Sequence, residues 1–440
     1  MIYHCYTSRA ASPKIVTPFL AISWLGSLFC EAIPPTFGPR AARSRIDAQR
    51  ELTQAMADGP KTELLGLSLH ELTRVAQEAG EPLYRGRQLF EAIYRQSVDS
   101  AEEISNLPRG FRQWIEEGFS LGLPKIATKF TSRDGTLRYL IGLADGESVE
   151  TVWMPHGDGG EAGDGSEAGR EQESERRKPV GATICVSSQV GCALDCQFCL
   201  TALLGIKRNL TAGEIVGQIC AVLRDRHVSL PVERVNLVFM GMGEPFLNYD
   251  NFVKAVCLLV EGVGMTESRM TVSTVGIVPR IYDLGRERIR PKLAISLNAP
   301  NDPLRSQIMP INRKWNLEKL MTAAREFPLR NRERLTFEYV LLNQVNDSRA
   351  NARELVELIG GTRSKVNLIA LNPGPGIALE TPPEARVFEF QKTLIDGAVP
   401  AFIRRPRGRD IYAACGQLKR TLELEPPAAG QMEGSPACPP

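Results

Sequence analysis

Apolar positions along the chain switch between two spacings, and the switches divide it into regions. From about residue 62, Leu64, Leu65, Leu67, Leu69, Leu72 and Val75 begin a run with the spacing of an amphipathic helix. Residues 85–94 and 102–114 carry two more helical candidates, so a small helical domain is expected here. Residues 136–154 alternate instead, which predicts short strands around the turn Ala144-Asp145-Gly146. Beyond residue 180, β-rich apolar runs recur at 183–186, 235–240, 270–274, 293–297, 335–342, 366–371 and 401–404, with helical stretches between most of them. Strands alternating with helices imply βαβ units and a parallel sheet. The expected fold class is therefore α/β, with enough units for a partial or complete α/β barrel.

Three stretches fall outside these patterns. Residues 157–178, GDGGEAGDGSEAGREQESERRK, are too rich in Gly, Ser and charge to form a core and read as a loop. Residues 15–29 are mostly apolar and follow Arg9 and Lys14, the outline of a signal-peptide core. The stretch is too short, and too broken by Pro18, for a membrane span. Residues 1–59 are accordingly expected to be a leader, a transit segment or a disordered extension, and residues 423–440 a disordered tail. Between them the expected organisation is a helical accessory domain (60–125), a short β segment (126–156), the acidic loop (157–180) and the core (181–422).

Composition adds little to the fold but bounds the setting. At 440 residues and 43% apolar, the chain can bury a large core and suits one catalytic domain plus a smaller attachment. Its net charge of +2 hides basic clusters at 207–208, 286–292, 330–334 and 404–409, which permit a polyanionic partner without requiring one. Ten cysteines are too sparse for a disulfide scaffold, and three of them lie close together, so a reducing, cytoplasmic setting without membrane attachment is expected.

Those three are the strongest chemical signal. In GCALDCQFC, residues 191–199, Cys192, Cys196 and Cys199 form a C-x3-C-x2-C array, one ligand short of a structural zinc site. An iron–sulfur cluster with one open position fits better. The four histidines, His4, His70, His156 and His227, form no pair at metal spacing. Other unusual residues follow the ends of predicted strands, where α/β barrels place their chemistry: the Gly241 to Pro245 turn, Ser273, Ser296 to Asn298, and Asn372.

Cys192-x3-Cys196-x-Phe198-Cys199 resembles the signature of radical S-adenosylmethionine (SAM) enzymes, whose core is a partial (β/α)6-type barrel. A closer resemblance rests on CVSSQVGCALDCQFCLTA, FMGMGEPFLN, TVSTVGIVP, AISLNAP, TFEYVLL, VNLIALNPGPG and RGRDIYAACGQL. From about residue 64 to 418 the chain is similar to the radical SAM methyltransferases that act on C2 of adenine 2503 in 23S rRNA and of adenine 37 in tRNAs. AISLNAP carries Asn298 where many relatives have histidine. The resemblance implies a [4Fe–4S] cluster on Cys192, Cys196 and Cys199, its fourth iron open to SAM. Two SAM molecules are consumed per turnover: one methylates Cys415, and the other yields the 5′-deoxyadenosyl radical that takes a hydrogen from that methyl. The resulting methylene adds to adenine C2, joining enzyme and RNA. Cys185 then promotes release, leaving a transient Cys185–Cys415 disulfide, and Glu150 serves as proton acceptor.

By the same resemblance, Gly243 and Glu244 receive the SAM amine, and Ser273, Ser296, Leu297, Asn298 and Asn372 make further SAM contacts. The helical domain is implied to bind RNA, with Arg85, Arg87 and Arg95 as candidates for phosphate contacts. The partners implied are 23S rRNA, tRNA and an electron donor such as flavodoxin or ferredoxin, acting on a monomer. Cys220 and Cys257 sit in apolar helical runs, and Cys5, Cys30 and Cys438 in the tails; these five are given no role. Two other readings remain open: the related methyltransferase acting on C8 of the rRNA adenine, and a zinc-bearing nucleic-acid-binding module without catalysis.

Overall fold

A two-residue strand, β1 (Thr62–Glu63), begins the part of the chain that the structure describes; this computed structural model describes residues 61–155, 181–230 and 234–418. The expected leader, acidic loop and C-terminal tail lie outside those residues, as do Cys5, Cys30, Cys438, His4 and His156. The first helix, α1 (Leu69–Glu78), starts later than the apolar spacing predicts. Gly66 turns the chain at φ +101°, and Ser68 caps the helix in a reciprocal box with Glu71, so Leu64 and Leu65 stay extended. After α2 (Tyr84–Glu91), one wide turn ends at Ser97. The run expected at 102–114 is split: Pro108 cannot lie inside a helix, so α3 (Arg109–Gly118) begins just behind it.

Next come β2 (Phe119–Ser120), which pairs with β1, then β3 (Lys125–Thr131), β4 (Leu137–Gly142) and β5 (Ser148–Pro155). The expected hairpin is the β4–β5 pair, closed by Gly146 N donating to the Leu143 carbonyl at 3.1 Å. β3 falls at the start of the expected β segment (126–156), but no strand was assigned there individually: as an edge strand it buries neither face fully, and K-I-A-T-K-F-T carries no strong apolar pattern.

The remaining elements alternate: β6 (Gly181–Cys185), β7 (Gln189–Gly191), β8 (Ile206–Asn209), α4 (Ala212–Asp225), β9 (Arg234–Phe239), α5 (Tyr249–Leu258), β10 (Met270–Thr274), α6 (Val278–Arg286), β11 (Lys292–Ser296), α7 (Asp302–Ile308), α8 (Leu317–Glu326), β12 (Leu335–Leu341), α9 (Arg349–Ile359), β13 (Ser364–Ala370), α10 (Glu384–Asp396) and β14 (Ala401–Ile403). One sheet of ten strands runs β14-β13-β12-β11-β10-β9-β6-β5-β4-β3. β6 and β9 through β14 are parallel, while β3, β4 and β5 extend the sheet antiparallel. The two edge strands do not pair with each other, so the barrel is partial. Every residue of β6 is buried, as expected for a strand covered on both faces.

One apolar core runs from Leu64 to Leu418 and joins the N-terminal helices to the barrel. Their contact is tight: a Cβ on Gly66 would lie 2.6 Å from Gly213 N of α4, so only glycine fits there. Among the described residues no helix is long and apolar enough to cross a membrane.

Candidate active site

The loop that carries Cys192, Cys196 and Cys199 is shaped by backbone rather than by its thiols. β7 and β8 pair across it, and Cys192 N donates to the Gly205 carbonyl at 3.0 Å. Gly191 has φ +81°, and a Cβ there would lie 1.9 Å from the Gly205 oxygen. Gln197 N bonds the Ile308 carbonyl, and Leu200 N bonds the Gly416 carbonyl at 2.8 Å, which fastens the loop to the turn bearing Cys415.

The three thiols feel one another electrostatically. Burial pushes Cys192 up to about 12, with Cys199 and Glu244 adding to the rise. Burial also raises Cys196 well above the thiol range, reinforced by Cys199 and Cys192. Thiolates so placed need cationic metal to exist together. Among the described residues no three His, Cys, Asp or Glu side chains converge on a point where one ion would sit. Three thiols without a fourth protein ligand are one short of a structural zinc site and match a cluster that keeps one position open. Arg305 adds a fixed positive charge behind the loop. It is fully buried, donates to the carbonyls of Leu297, Val275 and Ser296 at 2.9, 2.6 and 3.1 Å, and has its pKa lowered to about 10 by burial, against the pull of Cys196.

The turn after β9 lies against this loop. Gly243 has φ +95°, and a Cβ on it would strike Gln189 at 2.5 Å. Gln189 in turn accepts from Glu244 N at 2.9 Å. The Glu244 carboxylate is 3% exposed and accepts from Thr274 Oγ1 at 2.7 Å, Val275 N at 2.9 Å and Phe246 N at 3.0 Å. Burial outweighs these bonds and raises its pKa to about 7. A cationic ligand group would offset that cost.

Ser273 and Ser296 stand at the ends of β10 and β11 with their hydroxyls 3.2 Å apart. Leu297 N donates to the Glu338 carbonyl, and Asn298, at φ +60°, spends its carboxamide on Val340 N at 2.8 Å and on the Met309 sulfur. Those two residues shape the turn more than they offer free polar groups. Asn372 is different. Its Nδ2 donates to the Cys415 carbonyl at 3.2 Å, while its buried Oδ1 has no partner in the protein and is left to accept from a ligand.

An open cleft of about 980 Å³ is lined by Cys185, Glu338, Asn372, Arg404 and Cys415, among others. Cys185 ends β6, whereas Cys415 lies on the turn after β14, so opposite ends of the core supply the two thiols. Both are free. Burial raises Cys185 strongly, with Cys415 adding to the rise; Cys415 is exposed as a residue, but its sulfur is enclosed by the cleft walls, and that enclosure raises it to about 11, with Glu338 adding.

Glu150 lies on β5, one strand from Cys185, and strand pairing places Val152 opposite Cys185. Side chains alternate along a strand, so Glu150 and Val152 share the face that carries Cys185. Its carboxylate is 1% exposed, not solvent-facing, and is bonded by Arg138 Nη1 at 2.8 Å. Arg138 also stacks on Phe130, its Cζ 4.3 Å from the ring centre. Ser187 Oγ donates to the Glu150 carbonyl at 2.7 Å and receives Met242 N at 3.0 Å, locking the strand ends together. Arg138→Met removes the bonded cation from a buried carboxylate and is expected to cost about 3 kcal/mol or more of stability. Denaturant unfolding checks this; an unchanged midpoint with an unchanged slope would show that the ion pair carries nothing.

Arg138, Arg305 and Glu338 were not singled out from sequence, whereas Arg404, Arg405 and Arg407 of the basic cluster at 404–409 line the cleft. A buried charge on a strand reads as any surface charge until pairing assigns its face. Of the accessory-domain arginines, Arg85 is spent within the protein on Gln88, the Asn106 carbonyl and Glu81, while Arg87 and Arg95 remain at the surface, Arg87 near Glu91. Cys220 is buried in α4 and Cys257 half-buried in α5, away from the cleft lining.

Similarity to known proteins covers the same parts. Residues 186–356 match the radical SAM superfamily, and residues 62–120 match the ribosomal RNA large subunit methyltransferase N-terminal domain. A probable dual-specificity RNA methyltransferase RlmN from Koribacter versatilis is 63% identical over 346 residues, 78% of this chain and 98% of that protein. The dual-specificity RNA methyltransferase RlmN of Syntrophobacter fumaroxidans is 45% identical over 80% of this chain and 96% of its own length. Among solved structures, a radical SAM methyltransferase from Sphaerobacter thermophilus superposes with a TM-score of 0.72 at 40% identity, covering 82% of this chain and 100% of that one.

Proposed function

This chain belongs to the family of radical SAM dual-specificity RNA methyltransferases named RlmN, enzymes that use a [4Fe–4S] cluster and SAM, and from that premise we propose that it methylates C2 of adenine 2503 in 23S rRNA and of adenine 37 in tRNAs. When bound, the cluster and SAM supply a one-electron route to a carbon radical. Such a route is needed because adenine C2 is electron-poor and has no lone pair with which to attack a sulfonium methyl.

The observation that carries this reading is the pair of thiols, Cys185 and Cys415, in one cleft beside the triple-cysteine loop. Cys415 is the exposed one and sits on a turn held by Asn372 and Leu200, suited to present a methyl group to a base. Cys185 is set on a rigid strand, suited to meet the sulfur of Cys415 after the carbon bond has formed. Glu150 accepts the proton lost from C2. Cys192, Cys196 and Cys199 hold the cluster, while Gly243, Glu244, Ser273, Ser296, Leu297, Asn298 and Asn372 form the SAM pocket. Arg404, Arg405 and Arg407 at the cleft rim face the approach of a polyanion, and the target base reaches the thiols by leaving its stack. A low-potential donor such as flavodoxin or ferredoxin delivers the electron to a monomeric, cytoplasmic enzyme.

The test is anaerobic incubation with SAM, reductant and either 23S rRNA or tRNA fragments, followed by mass mapping of the modified base. 2-Methyladenine at both sites is expected. 8-Methyladenine in rRNA would overturn the regiochemistry, and unmodified RNA from protein with an intact cluster would overturn the activity.

A further inference from the structure

The turn that carries Cys415 is strapped on two sides, and the straps alternate along it. On one side, Asn372 Nδ2 donates to the Cys415 carbonyl at 3.2 Å, and Gln417 Nε2 donates to the Pro373 carbonyl at 2.8 Å. On the other, Leu200 N donates to the Gly416 carbonyl and Thr201 Oγ1 to the Leu418 carbonyl, both at 2.8 Å. Leu200 and Thr201 directly follow Cys199 and open the short helical turn Leu200–Leu204. Clearance there is small: Gly416 has φ +80°, and a Cβ on it would lie 3.3 Å from the Phe198 carbonyl oxygen. The Leu200 bond is backbone to backbone, so of these two only the Thr201 bond depends on a side chain. Thr201 is 3% exposed, and its hydroxyl spends its one proton on a carbonyl 217 residues away. Packing alone does not ask for that hydroxyl, since valine fills the same space.

We propose that Thr201 is a positioning residue for Cys415: its hydroxyl sets the distance between the turn that carries the methyl group and the triple-cysteine loop. The inference rests on the reading of Cys415 as methyl carrier and of Cys192, Cys196 and Cys199 as cluster ligands. Hydrogen transfer from the carried methyl group to the 5′ carbon of cleaved SAM needs the two atoms in near contact, and a misplacement of about 1 Å can cost roughly 100-fold in such a step. With the Leu418 carbonyl unbonded, the turn keeps its ties to Leu200 and to residues 372–373 but is free to swing at its far end. SAM is then cleaved without a methyl group being delivered, and the 5′-deoxyadenosyl fragment takes its hydrogen atom from a C–H bond of the buffer or of the protein instead.

The experiment compares wild type, Thr201→Val, Thr201→Ala and Thr201→Ser at matched iron content, and counts 5′-deoxyadenosine released per adenine methylated in 23S rRNA fragments. Thr201→Val is expected to raise that ratio about tenfold, the scale of one lost hydrogen bond, while Thr201→Ser, which keeps the hydroxyl, stays near wild type. A merely structural role lowers cleavage and methylation together, leaves the ratio unchanged and overturns the proposal. Hydrogen exchange of the full chain before cluster loading gives a second reading that needs no turnover. In Thr201→Val the amides of residues 413–418 are expected to exchange about tenfold faster, while those of β10 to β12 keep the wild-type rate. Unchanged exchange at 413–418, or equal acceleration in the strands, overturns the proposal. Should Thr201→Val fail to fold, Thr201→Ala and Thr201→Ser decide, since both lack the methyl group and differ only in the hydroxyl. Uncoupling in Thr201→Ala alone supports the proposal, and equal behaviour of the two overturns it. If Cys415→Ala still methylates RNA, the carrier reading fails and takes the inference with it; if methylation needs Cys415 and the ratio ignores Thr201, the inference alone fails.

Discussion

Replacing Cys192, Cys196 or Cys199 by alanine is expected to leave a folded protein without iron, without SAM cleavage and without RNA methylation. In the proposed ligand set each thiolate would hold one corner of the cluster, and a cubane left with two protein ligands is labile. The fold should survive because the loop is held by bonds that do not involve sulfur: Cys192 N to Gly205, Gln197 N to Ile308 and Leu200 N to Gly416. Removing a side chain from the half-buried thiols also creates little cavity. The expected signature is therefore iron and sulfide at background levels after anaerobic reconstitution, with a cooperative melt that remains close to that of the parent protein stripped of iron. Full iron content in any of the three variants would remove that cysteine from the ligand set. Zinc in place of iron in the parent protein would revive the non-catalytic reading.

The second large effect separates the other two cysteines, which fail at different steps although neither variant turns over. Cys415→Ala has no sulfur to carry a methyl group and should never attach to RNA. Cys185→Ala keeps the carrier, forms the carbon bond to the adenine and stops there, because no second thiol takes the Cys415 sulfur away. Deleting one member of an obligatory sequence exposes the step before it. The cleft permits this order: Cys415 is exposed while Cys185 is buried at a strand end, so the carrier meets the base first and the partner thiol stays out of solvent. A denaturing gel of Cys185→Ala after reaction, run with and without ribonuclease, should show a shifted band that ribonuclease collapses. If Cys185 were only a packing residue, the same variant would melt earlier and trap no RNA. The double variant Cys185→Ala/Cys415→Ala should lose the shifted band, which ties the adduct to Cys415.

Local features of this protein were legible because they are written in contiguous residues. The triple-cysteine loop spans nine positions, and the parallel strands announced themselves as apolar runs; the run expected at 270–274 coincides with β10 (Met270–Thr274). Strand-to-helix alternation then implied the barrel, since βαβ units have few ways to pack. Where local signals competed, the reading slipped. Leu64 and Leu65 continue the helical spacing, but the turn at Gly66 and the cap at Ser68 end it there, and the apolar residues serve a docking segment instead. The roles of Cys185, Cys415 and Glu150 came from family resemblance, because a lone cysteine in a strand or a glutamate in a hairpin has no signature of its own.

What the amino-acid order determined by itself was the candidate donor set for a cluster, the alternating secondary structure and the class of fold, all properties of neighbouring residues and their periodicity. Only the tertiary structure decided which distant residues share a wall. Strand register turned Glu150 inward and set Arg138 against it, the turn after β14 brought Cys415 into the cleft of Cys185, and the pairing of the parallel strands put Glu338 within hydrogen-bond reach of Ser273. A shift of one residue in any of those registers would turn the same side chains to the opposite face, so their chemistry depends on long-range pairing that no local spacing encodes.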